Sequence, residues 1–182
     1  MHHPTLLSTQ LCLGWEGLLI EGNPKEYPKL IENRPKAHRI SFSPTCTAEE
    51  EALNKTVSFH DFPFTNAGID GNALAYKNLS KVDVPCGPLT PVLQDLLDGR
   101  ITFFSLDVEG AEQLVLAQID FTAVFIEVLM IESFNNFCQN EGPARDRVRE
   151  MMDSVGYKRH EGVVRNSDLY VHPKSVYQLK TE

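Results

Sequence analysis

Two apolar runs separated by about one helix length constrain this chain more than any other feature. Ile101-Thr102-Phe103-Phe104-Ser105-Leu106 and Ala123–Ile131 are both short and almost free of charge. That pattern belongs to strands covered on both faces. Between them Leu114, Val115 and Ile119 recur at helical spacing, so the pair reads as strand, helix and parallel strand. The same alternation extends in both directions. Upstream lie a short strand, Gly17–Ile20, a helix from Pro24 to Asn33 with Tyr27, Leu30 and Ile31 on one face, and strands Ala37–Phe42 and Val57–His60. Leu89–Leu97 forms an amphipathic helix stopped by Asp98-Gly99, and a charged helix, Pro143–Val155, precedes the closing strands at Gly156-Tyr157 and Asp168–Val171. The expectation is one α/β domain over residues 1–182, a mostly parallel sheet with helices on both faces. Asp61–Pro91 has no clear period and reads as a long functional loop.

Composition narrows the function classes. The formal net charge of −8 argues against sequence-independent binding to nucleic acid or anionic membrane. The longest apolar stretch, Ala123–Ile131, is interrupted by Glu127 and is too short to span a bilayer. Met1-His2-His3-Pro4 lacks the basic start and apolar core of a signal peptide. The chain therefore reads as soluble and cytoplasmic, or membrane-anchored if an anchor lies upstream. Cys12, Cys46, Cys86 and Cys138 are far apart and form no CxxC pair, so no metal site is expected and buried free thiols are the plain reading. Asn54-Lys55-Thr56 and Asn78-Leu79-Ser80 match the N-glycosylation acceptor pattern, a triplet common by chance.

Ligands of open α/β sheets sit beyond the carboxyl ends of the strands. Glu21, Asp107 and Glu132 fall at that edge. A carboxylate such as Glu21 has two oxygens side by side, suited to both hydroxyls of a ribose; the alternative is an acid favoured by the dipole of the following helix. Asp107 and Glu109 flank a strand-to-helix turn in which Gly110 permits close approach of backbone. Asp107 can orient a hydroxyl or take its proton, and ordinary helix capping is the alternative.

Gly14-Trp15-Glu16-Gly17-Leu18-Leu19-Ile20-Glu21 with Asn23-Pro24, Val84-Pro85-Cys86 with Leu89, and Phe104-Ser105-Leu106-Asp107-Val108-Glu109-Gly110-Ala111-Glu112 occur in this order. Together with Gly156-Tyr157 and Asp168-Leu169-Tyr170-Val171, they resemble the FkbM family of methyltransferases. The resemblance implies a Rossmann-like class I methyltransferase sheet that binds S-adenosylmethionine and methylates a hydroxyl of a small-molecule or glycan acceptor. It implies cofactor binding by Glu21, Asn23, Cys46 and Asp107, with Cys46 near the adenine, and catalytic positions at Asp107 and Glu109. Asp107, Glu132 and His160 are candidates for the base, His160 having the plainer alternative of a surface or strand-end histidine. Asn66, Asp70, Asn72 and Tyr76 in the long loop are expected to contribute to acceptor choice. The chain departs from the family at its start. Pro4–Gly14 resembles the helix after the family's glycine-rich turn, so the first strand and that turn are expected to be lacking. Their absence leaves neighbouring strand edges unpaired, at roughly 1–3 kcal/mol for each buried group, and places unaided activity in question. GWxGLLIExNP and FSLDVEG are also similar to segments of Star-like proteins, which implies the alternative of a non-catalytic role in membrane-protein trafficking.

Overall fold

The computed structural model describes residues 14–60, 69, 80–133 and 141–178. β1 (Leu18–Ile20) pairs in parallel with β2 (His38–Ile40), and α1 (Tyr27–Asn33) lies between them in the chain. After α2 (Ala48–Ala52), β3 (Thr56–His60) pairs antiparallel with β4 (Lys81–Pro85). α3 (Thr90–Leu97) then leads into β5 (Arg100–Leu106), α4 (Glu112–Leu116), β6 (Phe125–Glu132), α5 (Glu141–Ser154), β7 (Lys158–Val164) and β8 (Ser167–Val171). The last four strands form one sheet in the order β5-β6-β8-β7, parallel between β5 and β6 and antiparallel elsewhere. The architecture is mixed α/β.

One apolar cluster joins these parts. Leu89 and Leu93 of the α3 region, Val115 and Leu116 of α4, Ile126, Leu129 and Ile131 of β6, Met152 of α5 and Tyr170 of β8 are its buried members, and Leu18, Ile20 and Phe42 pack against it. Polar anchors fix the far side. Arg149 on α5 donates from Nε and a terminal nitrogen to the two oxygens of Asp168 on β8, at 2.7 and 3.1 Å. Asp168 is 3% exposed, so this two-pronged pairing is what makes its charge tolerable there. Tyr157 Oη donates to the buried Ile126 carbonyl at 2.8 Å.

Several expectations need correction. β5 is not covered on both faces: Arg100 and Thr102 on one face and Ser105 on the other are exposed. The first helix begins at Tyr27 rather than Pro24, since Asn23 Oδ1 accepts from Lys25 N–H and holds the preceding residues in a turn. Leu114, expected inward with Val115 and Ile119, is 37% exposed, and Ile31, on the apolar face with Tyr27 and Leu30, is 46% exposed. Within the presumed loop 61–91, β4 is regular, and Ile69 bridges to Phe59. Asn66, Asp70, Asn72 and Tyr76 lie outside the described residues, as does Pro4–Leu13.

The cysteine reading is also overturned. Cys46 and Cys86 form a disulfide across 40 residues of sequence. The loop after β2 lies along the end of β4: Ser43 N–H donates to Pro85 O at 2.9 Å and Gly87 N–H returns to Ser43 O at 3.2 Å. That pairing brings the two Cα atoms to 5.4 Å, within reach of a disulfide. Cys12 and Cys138 lie outside the described residues.

Candidate functional site

A cleft of about 580 Å³ separates β1 from β5. β1 pairs with β2 on one side and β5 with β6 on one side; among the described residues no strand occupies the other edge of either. The walls are these two open edges, Trp15–Gly22 and Arg100–Asp107, with Leu89 and Leu93 contributing apolar surface and Pro44 and Thr45 part of the rim. Acids stand at the strand ends. Glu21 follows β1 on one wall; Asp107 and Glu109 follow β5 on the other.

Glu21 is half-buried, and burial raises its pKa against the opposing effect of the Asn23 N–H, which donates to Glu21 Oε1 at 2.7 Å. Asn23 is buried, and its side-chain oxygen serves the local turn rather than the cleft wall. Cys46 is likewise absent from the lining; its sulfur is committed to Cys86. Gly22 has a packing reason to be glycine: a Cβ there would lie 2.6 Å from the Phe59 ring.

Across the cleft, Asp107, Glu109 and Glu132 each bring an oxygen within 4.8 Å of the others. Three carboxylates this close cannot all ionise freely. The cost falls on Glu132, at the end of β6, whose pKa is raised to about 9. Burial is the largest cause, followed by the charges of Asp107 and Glu109 and a hydrogen bond with Asp107. The Glu132 carboxyl thus favours its protonated form, which donates a hydrogen bond toward Asp107. Such a group of oxygens suits a positively charged ligand atom or, by spacing alone, a hard cation.

Helix capping does not account for Asp107. The cap of α4 is Ala111, without a side-chain hydrogen bond, and the N–H groups of Val108 and Gly110 donate instead to Glu112 Oε1 at 3.0 and 3.3 Å. Glu112 is thus a site residue missed in the sequence: buried, with its pKa raised by burial, it folds back to hold the loop that carries Glu109. Its signal was present in the spacing, a Glu two residues after Gly110 at the start of a helix. His160 stands apart. Its partner Leu169 on β8 pairs with Met130 on β6, which pairs with Ser105 on β5. Three strand spacings, on the order of 14 Å, separate it from the strand carrying Asp107.

Among the described residues, no helix is long and apolar enough to cross a membrane. No curated protein and no solved structure matches the chain. A family model does, that of the methyltransferase FkbM domain, over residues 3–159. The match takes in β1 to α5, and with them Glu21, Asp107, Glu109 and Glu132. The chain belongs to the FkbM methyltransferase family.

Proposed function

We propose that this chain is the S-adenosylmethionine-binding domain of a methyltransferase acting on a hydroxyl oxygen of a small-molecule or glycan acceptor. One observation carries the reading: a single cleft has Glu21 at the end of one wall and Asp107 with Glu109 at the end of the other. The donor set fits the cofactor. Glu21 retains lone pairs beyond the one engaged by Asn23 N–H, enough to accept from a vicinal diol. The Asp107–Glu109–Glu132 group provides the negative surroundings that a sulfonium favours.

When bound, S-adenosylmethionine supplies a methyl group on a positively charged sulfur. The protein's part is to hold the acceptor oxygen in line with that methyl and to take the hydroxyl proton. We assign the proton to Asp107, which is exposed at the cleft and held by the hydrogen bond from protonated Glu132. Glu132 is then a positioning residue. Glu109 borders the acceptor, and Cys46 acts by fixing the Ser43–Thr45 loop through its disulfide. We read β2-β1 and β5-β6-β8-β7 as two parts of one Rossmann-like sheet, the cleft standing where the family's first strand would lie.

The test is calorimetric titration of the purified chain with S-adenosylmethionine, beside Glu21→Ala. Loss of a hydrogen bond to a charged group weakens binding by about tenfold or more. A folded wild-type chain that binds no cofactor, or a variant that binds as tightly, refutes the reading.

A further inference from the structure

One of the acceptor triplets lies directly over the buried disulfide, and nothing in the methyl-transfer reading uses that triplet. Asn54 and Lys55 lie in the turn between α2 and β3 and Thr56 opens β3; Asn54 follows Cys46 by eight residues. Asn54 and Thr56 are both exposed. Asn54 adopts a left-handed conformation, φ 54°, which turns the chain out of the helix. Among the described residues its side-chain amide has no hydrogen-bond partner, so the nitrogen is free to be modified. Leu53, beside it, is 81% exposed, an apolar side chain that water covers poorly and that a sugar ring would shield.

An acceptor triplet alone is weak. The independent observation is Cys46–Cys86, buried at 1% and 4% exposure. Buried disulfides persist where the compartment is oxidising, and reducing compartments keep such pairs as thiols. The two features adjoin: Cys86 Sγ lies 3.3 Å from the carbonyl oxygen of Lys55, the middle residue of the triplet. A chain that folds with this crosslink folds in an oxidising compartment, and the secretory compartments that attach asparagine-linked glycans are of that kind.

We propose that Asn54 is an N-glycosylation site, modified in an oxidising secretory compartment. A bond forms between Asn54 Nδ2 and the anomeric carbon of an oligosaccharide carried on a lipid diphosphate. The sugar–phosphate bond breaks, the lipid diphosphate leaves, and the amide gives up one proton. Thr56 supplies the hydroxyl that the acceptor pattern requires. The glycan would project from the turn, covering Leu53. This stands against the cytoplasmic expectation drawn from the sequence.

The test uses the protein expressed from its own gene in the cells that make it. Treatment with an amidase that removes N-linked glycans should raise its gel mobility by one oligosaccharide and convert Asn54 to aspartate by peptide mass spectrometry. Asn54→Gln and Thr56→Ala should each abolish that shift, and alkylation before reduction should leave Cys46 and Cys86 unmodified. Asn78→Gln is the control for the other triplet, and the shift should survive it. A chain insensitive to the amidase, a shift that persists in Asn54→Gln, or alkylated Cys46 and Cys86 in the untreated protein would each overturn the proposal. None of these readouts depends on cofactor binding.

Discussion

Replacing Glu132 by Gln should change how stability depends on pH, and the sign follows from the crowding at the ends of β5 and β6. The folded-state pKa of Glu132 is about 9, against an ordinary value of 4.5. Below about pH 4.5 both folded and unfolded chains hold the proton, and the residue contributes no pH dependence. Above it the unfolded chain releases the proton while the folded chain keeps it, so wild-type stability falls as pH rises, until the folded carboxyl itself ionises near pH 9. Each pH unit between those limits is worth at most about 1.4 kcal/mol. Water reaches the half-buried carboxyl and screens its neighbours' charges, which shrinks the shift and leaves roughly a third of the integrated effect, on the order of 2 kcal/mol. Glu132→Gln keeps the shape and a donor toward Asp107 but has no proton to lose. The variant should match wild type near pH 4.5 and gain on it as pH rises, by on the order of 2 kcal/mol in all by pH 9. Urea unfolding at half-unit pH steps, with equal m-values, reads the difference directly. Parallel stability curves for the two proteins between pH 5 and 8.5 would refute the shared-proton account of the acidic cluster.

Two further outcomes test other parts of the fold. Asp168→Asn removes the two-pronged acceptor of Arg149, which then keeps Glu161 at 3.6 Å, so a loss of about 2–3 kcal/mol is expected by denaturant unfolding; a loss below about 1 kcal/mol would mean the pair is not formed. On β5, Gly99 O accepts from Phe125 N–H at 2.7 Å, which sets the phase of the ladder. Amides of Ile101, Phe103 and Ser105 then face β6, whereas those of Thr102 and Phe104 face the cleft. Hydrogen exchange should be fast at the second set and slow at the first, and uniform protection would mean that a strand fills the cleft.

The legible parts of the fold were those written in local pattern. The stop at Asp98-Gly99 corresponds to a left-handed Asp98, φ 52°, directly after α3. β6 followed from its largely apolar run, which Glu127 alone interrupts before Glu132. Two missed elements had signals that were passed over: Thr47-x-x-Glu50 forms a complete capping box on α2, and Lys81-Val82-Asp83-Val84 alternates as an edge strand should. The disulfide and the exposure of β5 were not legible, because each depends on which elements become neighbours. A cysteine 40 residues from its partner carries no mark of the pairing, and an apolar run does not announce which of its positions stay uncovered. At the site, the strand-end acids could be placed by position, but the proton held by Glu132 could not. That depends on Asp107 and Glu109 arriving from a different strand.

Backbone conformation sharpens the case for the β5 end of the cleft as the site of function. Four residues other than glycine have positive φ among the described residues: Asn54, Asp98, Glu109 and Asn166. Three are Asn or Asp, whose short side chains tolerate that region and favour tight turns. Glu109 has no such ease, and its φ of 56° costs roughly 1 kcal/mol. The same few residues hold Glu132 protonated against its ordinary preference and bury the carboxyl of Glu112 to secure the loop. Each departure is unfavourable alone, and a turn built for stability would use Asn or Gly at position 109 and a neutral residue at 132. Their coincidence at the adjoining ends of β5 and β6, beside the cleft, is the observation that most favours the proposed site.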